Sequence, residues 1–193
     1  DVFIGAAGAT VSGETYAGRA FVVFGPTYQQ SFEVVRSGSP GNFEMFGLSF
    51  AHADLDHDGQ RDLFVGAAGA AVNHIAEVGR IDVYRGASPF VGALIASLVP
   101  AFPQTNASYG RSMLIHDIDH DGHDDLLTTN RKTAIEVGFT WLSNLNPAVA
   151  SSMFIPSSGA DLGWGVRTAA CDADGDGGVD VVASDYSFSG GGR

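Results

Sequence analysis

The sequence predicts an all-β protein built from repeated four-stranded antiparallel sheets, and three observations support that prediction. Short runs rich in branched and aromatic residues alternate with Gly, Pro, Ser and Asp along the chain. No stretch carries a long 3.6-residue hydrophobic period with helix caps. Similar segments recur, and the aspartates that close them lie 61, 63 and 55 residues apart. A period of this length indicates a repeat architecture.

Each repeat contains four predicted strands. In the clearest repeat they cover residues 46–53, 63–65, 81–84 and 94–99. The next repeat shows the pattern more weakly, at 112–116, 126–129, 139–142 and 148–154. Four short strands in a unit of about 40–60 residues are typical of a β-propeller blade. A two-sheet sandwich is the alternative, but it would not explain the regular recurrence.

Two short motifs recur with the strands. An aromatic residue followed by glycine precedes each of three aspartate clusters by 8 residues, at Phe46-Gly47, Tyr109-Gly110 and Trp164-Gly165. We interpret these aromatic side chains as packing between blades. A second alignment matches residues 1–9 with residues 62–70, and a Gly-Arg pair follows each of these segments.

The charge of the chain is concentrated in the same clusters. The 193 residues include 22 acidic and 10 basic side chains, a formal net charge of −12, and 14 of the 17 aspartates lie in short clusters or at Asp1. This balance argues against nucleic acid or an anionic membrane as a partner, because both bind basic surfaces. No run reaches the ~18 apolar residues of a membrane helix, so membrane insertion of this segment is not expected. A single cysteine excludes an internal disulfide framework.

Each complete cluster reads Asp-x-Asp-x-Asp-Gly-x-x-Asp. Carboxylates at positions 1, 3 and 5 converge if the loop wraps around a cation, position 7 offers its backbone carbonyl, and position 9 closes the shell. Oxygen ligands in a flexible loop suit Ca²⁺, whereas polar Asp-Gly turns without a metal would not require three copies in register. This is not an EF-hand, because position 12 is not Glu and strands flank the loop. The predicted ligands of three Ca²⁺ sites are Asp54, Asp56, Asp58, Gln60 and Asp62; Asp117, Asp119, Asp121, His123 and Asp125; and Asp172, Asp174, Asp176, Gly178 and Asp180.

These motifs together resemble the FG-GAP repeat family, which includes the propeller of integrin α-subunits and many secreted bacterial repeat proteins. The three aromatic-Gly pairs stand for "FG", and residues 5–7 and 66–68 stand for "GAP" with Ala in place of Pro. Residues 128–130 and 183–185 depart from "GAP". The resemblance implies a usually seven-bladed propeller with calcium in the hairpin between the first two strands of a blade.

The alignment predicts just over three blades. They are a partial blade at 1–36, whole blades at 43–99 and 107–155, and a partial blade at 162–193. Asp1 is the remnant of a fourth calcium loop. We therefore expect a segment of a larger protein whose remaining blades complete the ring, with assembly of one ring from several chains as the alternative.

Other metal and catalytic chemistry is less favoured by the sequence. A zinc site from His57, or from His116, His120 and His123, is conceivable, but the loop geometry is expected to splay these rings outward. Cys171 is predicted to be a small buried hydrophobic residue rather than a nucleophile. A catalytic carboxylate pair need occur only once, whereas these carboxylates are committed to repeated loops, so no enzymatic activity is predicted for this segment.

The sequence favours a calcium-stabilised extracellular scaffold for adhesion or ligand binding, secreted or on the cell surface. Extracellular calcium is high enough to fill weak loop sites, whereas cytosolic calcium is not. A protein or glycan ligand is expected on the loops opposite the calcium hairpins. These are residues 6–17, 67–78 and 130–137, and the connections 37–44, 100–108 and 156–161. The alternatives are the propeller part of a secreted enzyme, such as a polysaccharide lyase or lipase, and a structural component of a surface assembly.

Overall fold

The structure is a computed structural model that describes residues 1–55, 57–101, 103–131, 136–142, 150–156 and 168–183. Within these ranges the chain forms strands and connecting loops, with no helix. The strands are β1 (Val2–Ala6), β2 (Arg19–Phe24), β3 (Gln30–Val34), β4 (Phe46–Ala53), β5 (Asp62–Ala67), β6 (Arg80–Tyr84), β7 (Leu94–Leu98), β8 (Met113–His116), β9 (Asp125–Arg131), β10 (Glu136–Leu142), β11 (Ala150–Pro156), β12 (Thr168–Cys171) and β13 (Asp180–Ala183).

The strands form four antiparallel sheets in which neighbours in sequence are neighbours in space. The first sheet has the order β1-β2-β3, the second β4-β5-β6-β7, the third β8-β9-β10-β11 and the fourth β12-β13. The predicted all-β, antiparallel class is confirmed. Strands β9 and β10 are longer than predicted and begin at Asp125 and Glu136, because backbone hydrogen bonding extends a ladder past the last apolar side chain.

The first and second sheets share one apolar core. Phe46, at the start of β4, is fully buried in it, and Tyr84 from β6 lies beside residues of the first sheet. The buried members are Ala20, Val22, Val34, Phe46, Leu63, Val65, Ala67, Ala70 and Tyr84. Phe46 thus packs between two sheets, as its position before the aspartate loop predicted.

A second apolar core joins the second and third sheets. Tyr109, the repeat counterpart of Phe46, is buried there against residues of the second sheet. Its buried members are Ala53, Phe64, Ile81, Val83, Leu98, Tyr109 and Leu126. The same contact is therefore repeated at both interfaces, while Trp164 lies outside the described residues.

Motif glycines allow the sheets to approach closely. A Cβ at Gly5 would collide with the carbonyl oxygen of Gly47, and a Cβ at Gly66 would collide with that of Gly110. Gly5 on β1 and Gly66 on β5 occupy equivalent positions in the repeat. Each meets the glycine that follows the aromatic residue at the start of the next repeat. The two glycine elements of the repeat are thus two halves of one backbone contact between neighbouring sheets.

Two further observations concern exposure. Among the described residues, no helix has the length and apolar character needed to cross a membrane. Cys171 is exposed, so its predicted burial is wrong. It pairs with Asp180 at the hairpin end of the two-stranded sheet. Thr168 and Ala170 lie on the partly covered face of β12, so the side chain of Cys171 lies on the open face.

Candidate metal-binding loops

The three acidic loops share a left-handed backbone conformation at two positions. Position 4 has a left-handed φ in each, at His57 (57°), His120 (59°) and Gly175 (82°). Position 6 does too, and it is glycine in all three loops, with φ between 85° and 92°. Two left-handed residues so close together curl the loop tightly. Glycine is favoured at position 6 because it adopts this region without steric cost.

The carboxylate at position 1 organises each loop. The two oxygens of Asp54 accept hydrogen bonds from the backbone N–H groups of Asp58 (3.1 Å) and Gly59 (2.9 Å). Asp117 does the same for Asp121 (3.0 Å) and Gly122 (2.9 Å). In the third loop Asp172 accepts from Gly175 (2.7 Å) and Gly177 (3.0 Å). The turn is thus wound around the first carboxylate.

The carboxylate at position 5 accepts the backbone N–H of position 7. The donor–acceptor distances are 2.8 Å from Gln60 to Asp58, 3.0 Å from His123 to Asp121 and 2.7 Å from Gly178 to Asp176. Each aspartate at this position is therefore held by its own loop. Position 7 contributes its backbone rather than its side chain to this bond.

Positions 1, 3 and 5 converge in the second and third loops. Carboxylate oxygens of Asp117, Asp119 and Asp121 all lie within 4.8 Å of one another, as do those of the triad Asp172, Asp174 and Asp176. Three carboxylates this close repel one another unless a cation or protons neutralise them. The donor set is entirely oxygen, which fits a hard divalent cation. In the first loop, Asp56 lies outside the described residues.

The aspartate at position 9 is bonded differently. Asp62 is fully buried, and its two oxygens accept the N–H groups of Leu55 (2.9 Å) and Gly86 (2.8 Å). Asp125 and Asp180 accept the matching bond from position 2, from Ile118 and Ala173, both at 2.9 Å. This carboxylate closes the loop and, at Asp62, ties it to the connection after the third strand.

Asp1 repeats half of that arrangement. Its carboxylate accepts the N–H of Gly25 at 2.9 Å, and Gly25 lies 61 residues before Gly86, just as Asp1 lies 61 before Asp62. The alignment of Asp1 with position 9 therefore corresponds to an equivalent hydrogen bond.

The first and second acidic loops touch each other. Arg61 forms an ion pair with Asp124 at 3.5 Å, and both residues occupy position 8 of their loops. The rings of His57 and His123 meet edge to face, with centroids 6.1 Å apart and planes at 68°. The expectation that these rings splay apart is therefore wrong for this pair. Histidines from adjacent loops meet, because neighbouring sheets bring position 4 of one loop beside position 7 of the next.

A cleft of about 380 Å³ lies at the opposite end of the second sheet. It is formed by the connection 37–44 and the β5–β6 loop, and its lining includes Phe43, Glu44, Glu77 and Arg80. Phe43 stacks on Tyr16, with centroids 5.5 Å apart and planes at 10°, and both rings are about half exposed. Two loops predicted to lie opposite the acidic hairpins thus border one cleft. The predicted loop 130–137 is only partly described.

A buried charge cluster, which the sequence motifs did not predict, lies beneath this cleft. Glu44 accepts hydrogen bonds from Arg36 (2.8 Å) and Arg80 (2.6 Å). Asp82, also buried, accepts from Arg80 (2.8 Å) and from both the N–H and the hydroxyl of Ser37 (2.9 Å each). Two arginines and two acids balance each other while joining the first sheet to the second. The Gly-Arg pair before β6 marks Arg80, but no local pattern marks its partners.

Charge and burial in this cluster act on two pKa values. Desolvation is the largest single effect on Arg80 and lowers its pKa, but Asp82 and Glu44 together raise it above the usual value. The pKa of Tyr84 is raised, first by burial and then by the nearby Asp82 carboxylate. Its hydroxyl donates to the carbonyl of Val35 at 2.7 Å. Both groups therefore keep their protons across the neutral range.

The sheets and loops together define a class of protein: a repeat protein of antiparallel β-sheets in which an oxygen-rich acidic loop joins the first two strands of a sheet. Residues 46–84 match the family model described as "FG-GAP repeat". The second sheet of this chain, with the cleft and buried charge cluster at its edge, therefore carries an FG-GAP repeat, and the resemblance inferred from the motifs is confirmed.

Two curated proteins are similar over a longer stretch. The chain is 27% identical over 138 residues to phosphatidylinositol-glycan-specific phospholipase D of Rattus norvegicus and 25% identical over 136 residues to that of Mus musculus. Each alignment covers 67% of this chain. The chain spans only 16% of the length of these relatives.

Proposed function

We propose that the chain is part of a calcium-stabilised extracellular β-propeller that serves as a ligand-binding scaffold. The observation that carries this proposal is the repeated acidic loop, whose carboxylates converge in the same way in the second and third copies. Calcium would be held by positions 1, 3 and 5 and the backbone carbonyl of position 7. Asp62, Asp125 and Asp180 would close each loop through the hydrogen bond that each accepts from the backbone N–H of position 2.

The cation would act on stability. Its charge would offset the repulsion among the triad carboxylates, and its binding to the folded loop alone would add free energy of RT ln(1 + [Ca²⁺]/Kd). Loops with these ligands reach Kd values of about 10⁻⁴–10⁻³ M in extracellular modules, so extracellular calcium would fill them and cytosolic calcium would not.

Calcium titration of the metal-stripped full chain, followed by calorimetry and thermal unfolding, tests this proposal. We expect Ca²⁺ to raise the melting temperature and EDTA to reverse the increase. Asp121→Asn should weaken one class of site, whereas Asp124→Asn removes the same charge from the same loop outside the triad and should leave that affinity unchanged. A melting temperature that does not respond to Ca²⁺ would refute the calcium assignment.

The ligand-binding role is supported by the loop cleft. Its exposed Phe43–Tyr16 pair offers an aromatic surface, and the polar groups of Glu77 and Asn42 lie beside it. Exposed aromatic side chains next to polar groups are common where proteins bind sugars or peptides. We propose a protein or glycan ligand at this end of the sheets.

Arrays of glycans and extracellular proteins, screened with the calcium-loaded full chain, would test the cleft. Tyr16→Ala and Phe43→Ala should abolish any binding found. Tyr28→Ala is the matched control, because Tyr28 is as exposed as Tyr16 but lies in the β2–β3 connection at the other end of the sheet. Equal losses in all three variants would contradict a site at the cleft.

A second candidate is the propeller part of a secreted enzyme. The observation that favours it is the similarity to two proteins named as phospholipases D, of which this chain matches a minor part. Under this proposal the segment would support or position a catalytic domain elsewhere in the protein. Assay of the full-length protein for lipid hydrolysis, with and without this segment, separates the two candidates.

A further inference from the structure

His57 and His123 belong neither to the acidic triads nor to the loop cleft, and we propose that their imidazoles form a separate binding site for Zn²⁺ or a divalent transition cation of similar ligand preference. Both side chains are exposed, so a cation and its remaining water ligands have access to them. The site differs from the proposed calcium sites in its ligand atoms, which are nitrogen rather than oxygen, and in the class of metal that it would bind.

The two rings lie within about 1 Å of the separation that one shared ion requires. A Zn–N bond is about 2.0–2.1 Å and a ring nitrogen lies about 1 Å from the centroid, so at a tetrahedral N–Zn–N angle two imidazoles on one ion have centroids about 5 Å apart. The observed distance is 6.1 Å. An approach of about 1 Å, through rotation of either exposed side chain, places one nitrogen of each ring at bonding distance from the same ion.

The loops hold the two residues in place before any ion binds. His57 has a left-handed φ of 57°, which directs its side chain away from the path of an extended strand. The backbone N–H of His123 is fixed by its hydrogen bond to Asp121, at 3.0 Å. The Arg61–Asp124 ion pair, at 3.5 Å, joins the same two loops.

Ligand chemistry separates this site from the acidic triads. Imidazole nitrogen suits Zn²⁺, Cu²⁺ and Ni²⁺, whereas Ca²⁺ prefers oxygen and would stay in the carboxylate loops. A cation held by both histidines would bridge the acidic loop of the second sheet to that of the third. It would therefore tie the two sheets together at their hairpin ends.

Zn²⁺ titration of the full chain under saturating Ca²⁺, measured by calorimetry, tests the site. Losing outer-shell partners alone weakens metal binding by about 10–100-fold, so His57→Gln or His123→Gln should weaken this Zn²⁺ site at least about tenfold. In free energy, the double variant should lose less than the sum of the two single losses, because both side chains serve one ion. Neither substitution alters the backbone groups of the acidic loops.

His120→Gln is the matched control, since His120 occupies position 4 of the second loop with the same left-handed φ (59°) as His57. We expect it to leave Zn²⁺ affinity unchanged. X-ray absorption at the zinc edge should show two imidazole ligands in the wild type and one in either single variant. Unchanged affinity in His57→Gln or His123→Gln, an equal loss in His120→Gln, or a spectrum without imidazole would each overturn the proposal.

Discussion

Replacement of Glu44 should be one of the most destabilising single changes in the interface between the first and second sheets. Its side chain is about 4% exposed and accepts hydrogen bonds from Arg36 at 2.8 Å, Arg80 at 2.6 Å and the N–H of Gly41 at 3.2 Å. Removing it leaves the buried Arg36 guanidinium with the backbone carbonyls of Ala17 and Gly18 as acceptors and without a paired carboxylate, while Arg80 keeps that of Asp82. Loss of one partner from a buried ion pair costs about 3–5 kcal/mol.

Glu44→Gln isolates the charge from the volume. The amide fills the same space but replaces one acceptor oxygen with a donor, which then faces the donors of Arg36 or Arg80. We expect a loss of about 3–5 kcal/mol in the free energy of unfolding, close to that of Glu44→Ala. Urea denaturation followed by circular dichroism measures it, and an unchanged slope with denaturant would show that the unfolded states are comparable.

Glu33→Gln provides the matched control. Glu33 pairs with Arg19 at 3.6 Å, and both side chains are nearly half exposed, at 48% and 44%. Exposed pairs of this kind contribute about 0–1 kcal/mol. If Glu44→Gln cost no more than Glu33→Gln, the buried cluster would not be a stabilising feature of this interface and the reasoning would fail.

Two other predictions concern the same interfaces. Gly66→Ala should destabilise the chain by about 1–3 kcal/mol through overpacking against the Gly110 carbonyl. Gly41→Ala is the control and should not destabilise the chain, because the space around its Cα is open. Equal melting temperatures for the two variants would contradict the glycine contact. The free energy of unfolding should fall as the pH rises above about 10. Burial raises the pKa of Tyr84 and Tyr109 and keeps them protonated in the folded state, whereas the same tyrosines ionise in the unfolded chain. Urea denaturation between neutral and alkaline pH should show a flatter decline for Tyr109→Phe than for Tyr28→Phe, and identical profiles would refute that cause.

Local sequence patterns were sufficient to predict the acidic loops. Asp54 and Gly59, or Asp117 and Gly122, are bonded within a few residues of each other, so the pattern of carboxylates and glycine specifies the turn without help from the rest of the chain. The strands that flank the loops were predicted for the same reason. Boundaries were less accurate where polar residues such as Glu136 join a ladder through their backbone alone.

Contacts between sheets were not predictable in the same way. The partners Arg36 and Arg80 converge on Glu44 from 8 and 36 residues away, and no periodicity links them. The sequence predicts the wrong face for Cys171, because alternation along a strand shows that two faces exist but not which one is covered.

The sequence by itself determined the repeat, the antiparallel strands and the carboxylate loops, since each depends on short-range hydrogen bonds and on glycine at a left-handed position. Only the tertiary structure decided which residues are in contact between repeats. These contacts are the buried Arg36–Glu44–Arg80 cluster, the contact of Gly66 with Gly110, and the contact of His57 with His123. These depend on how closely and at what offset neighbouring sheets pack. That distance is set by all the side chains of the shared cores together, and no single motif encodes it.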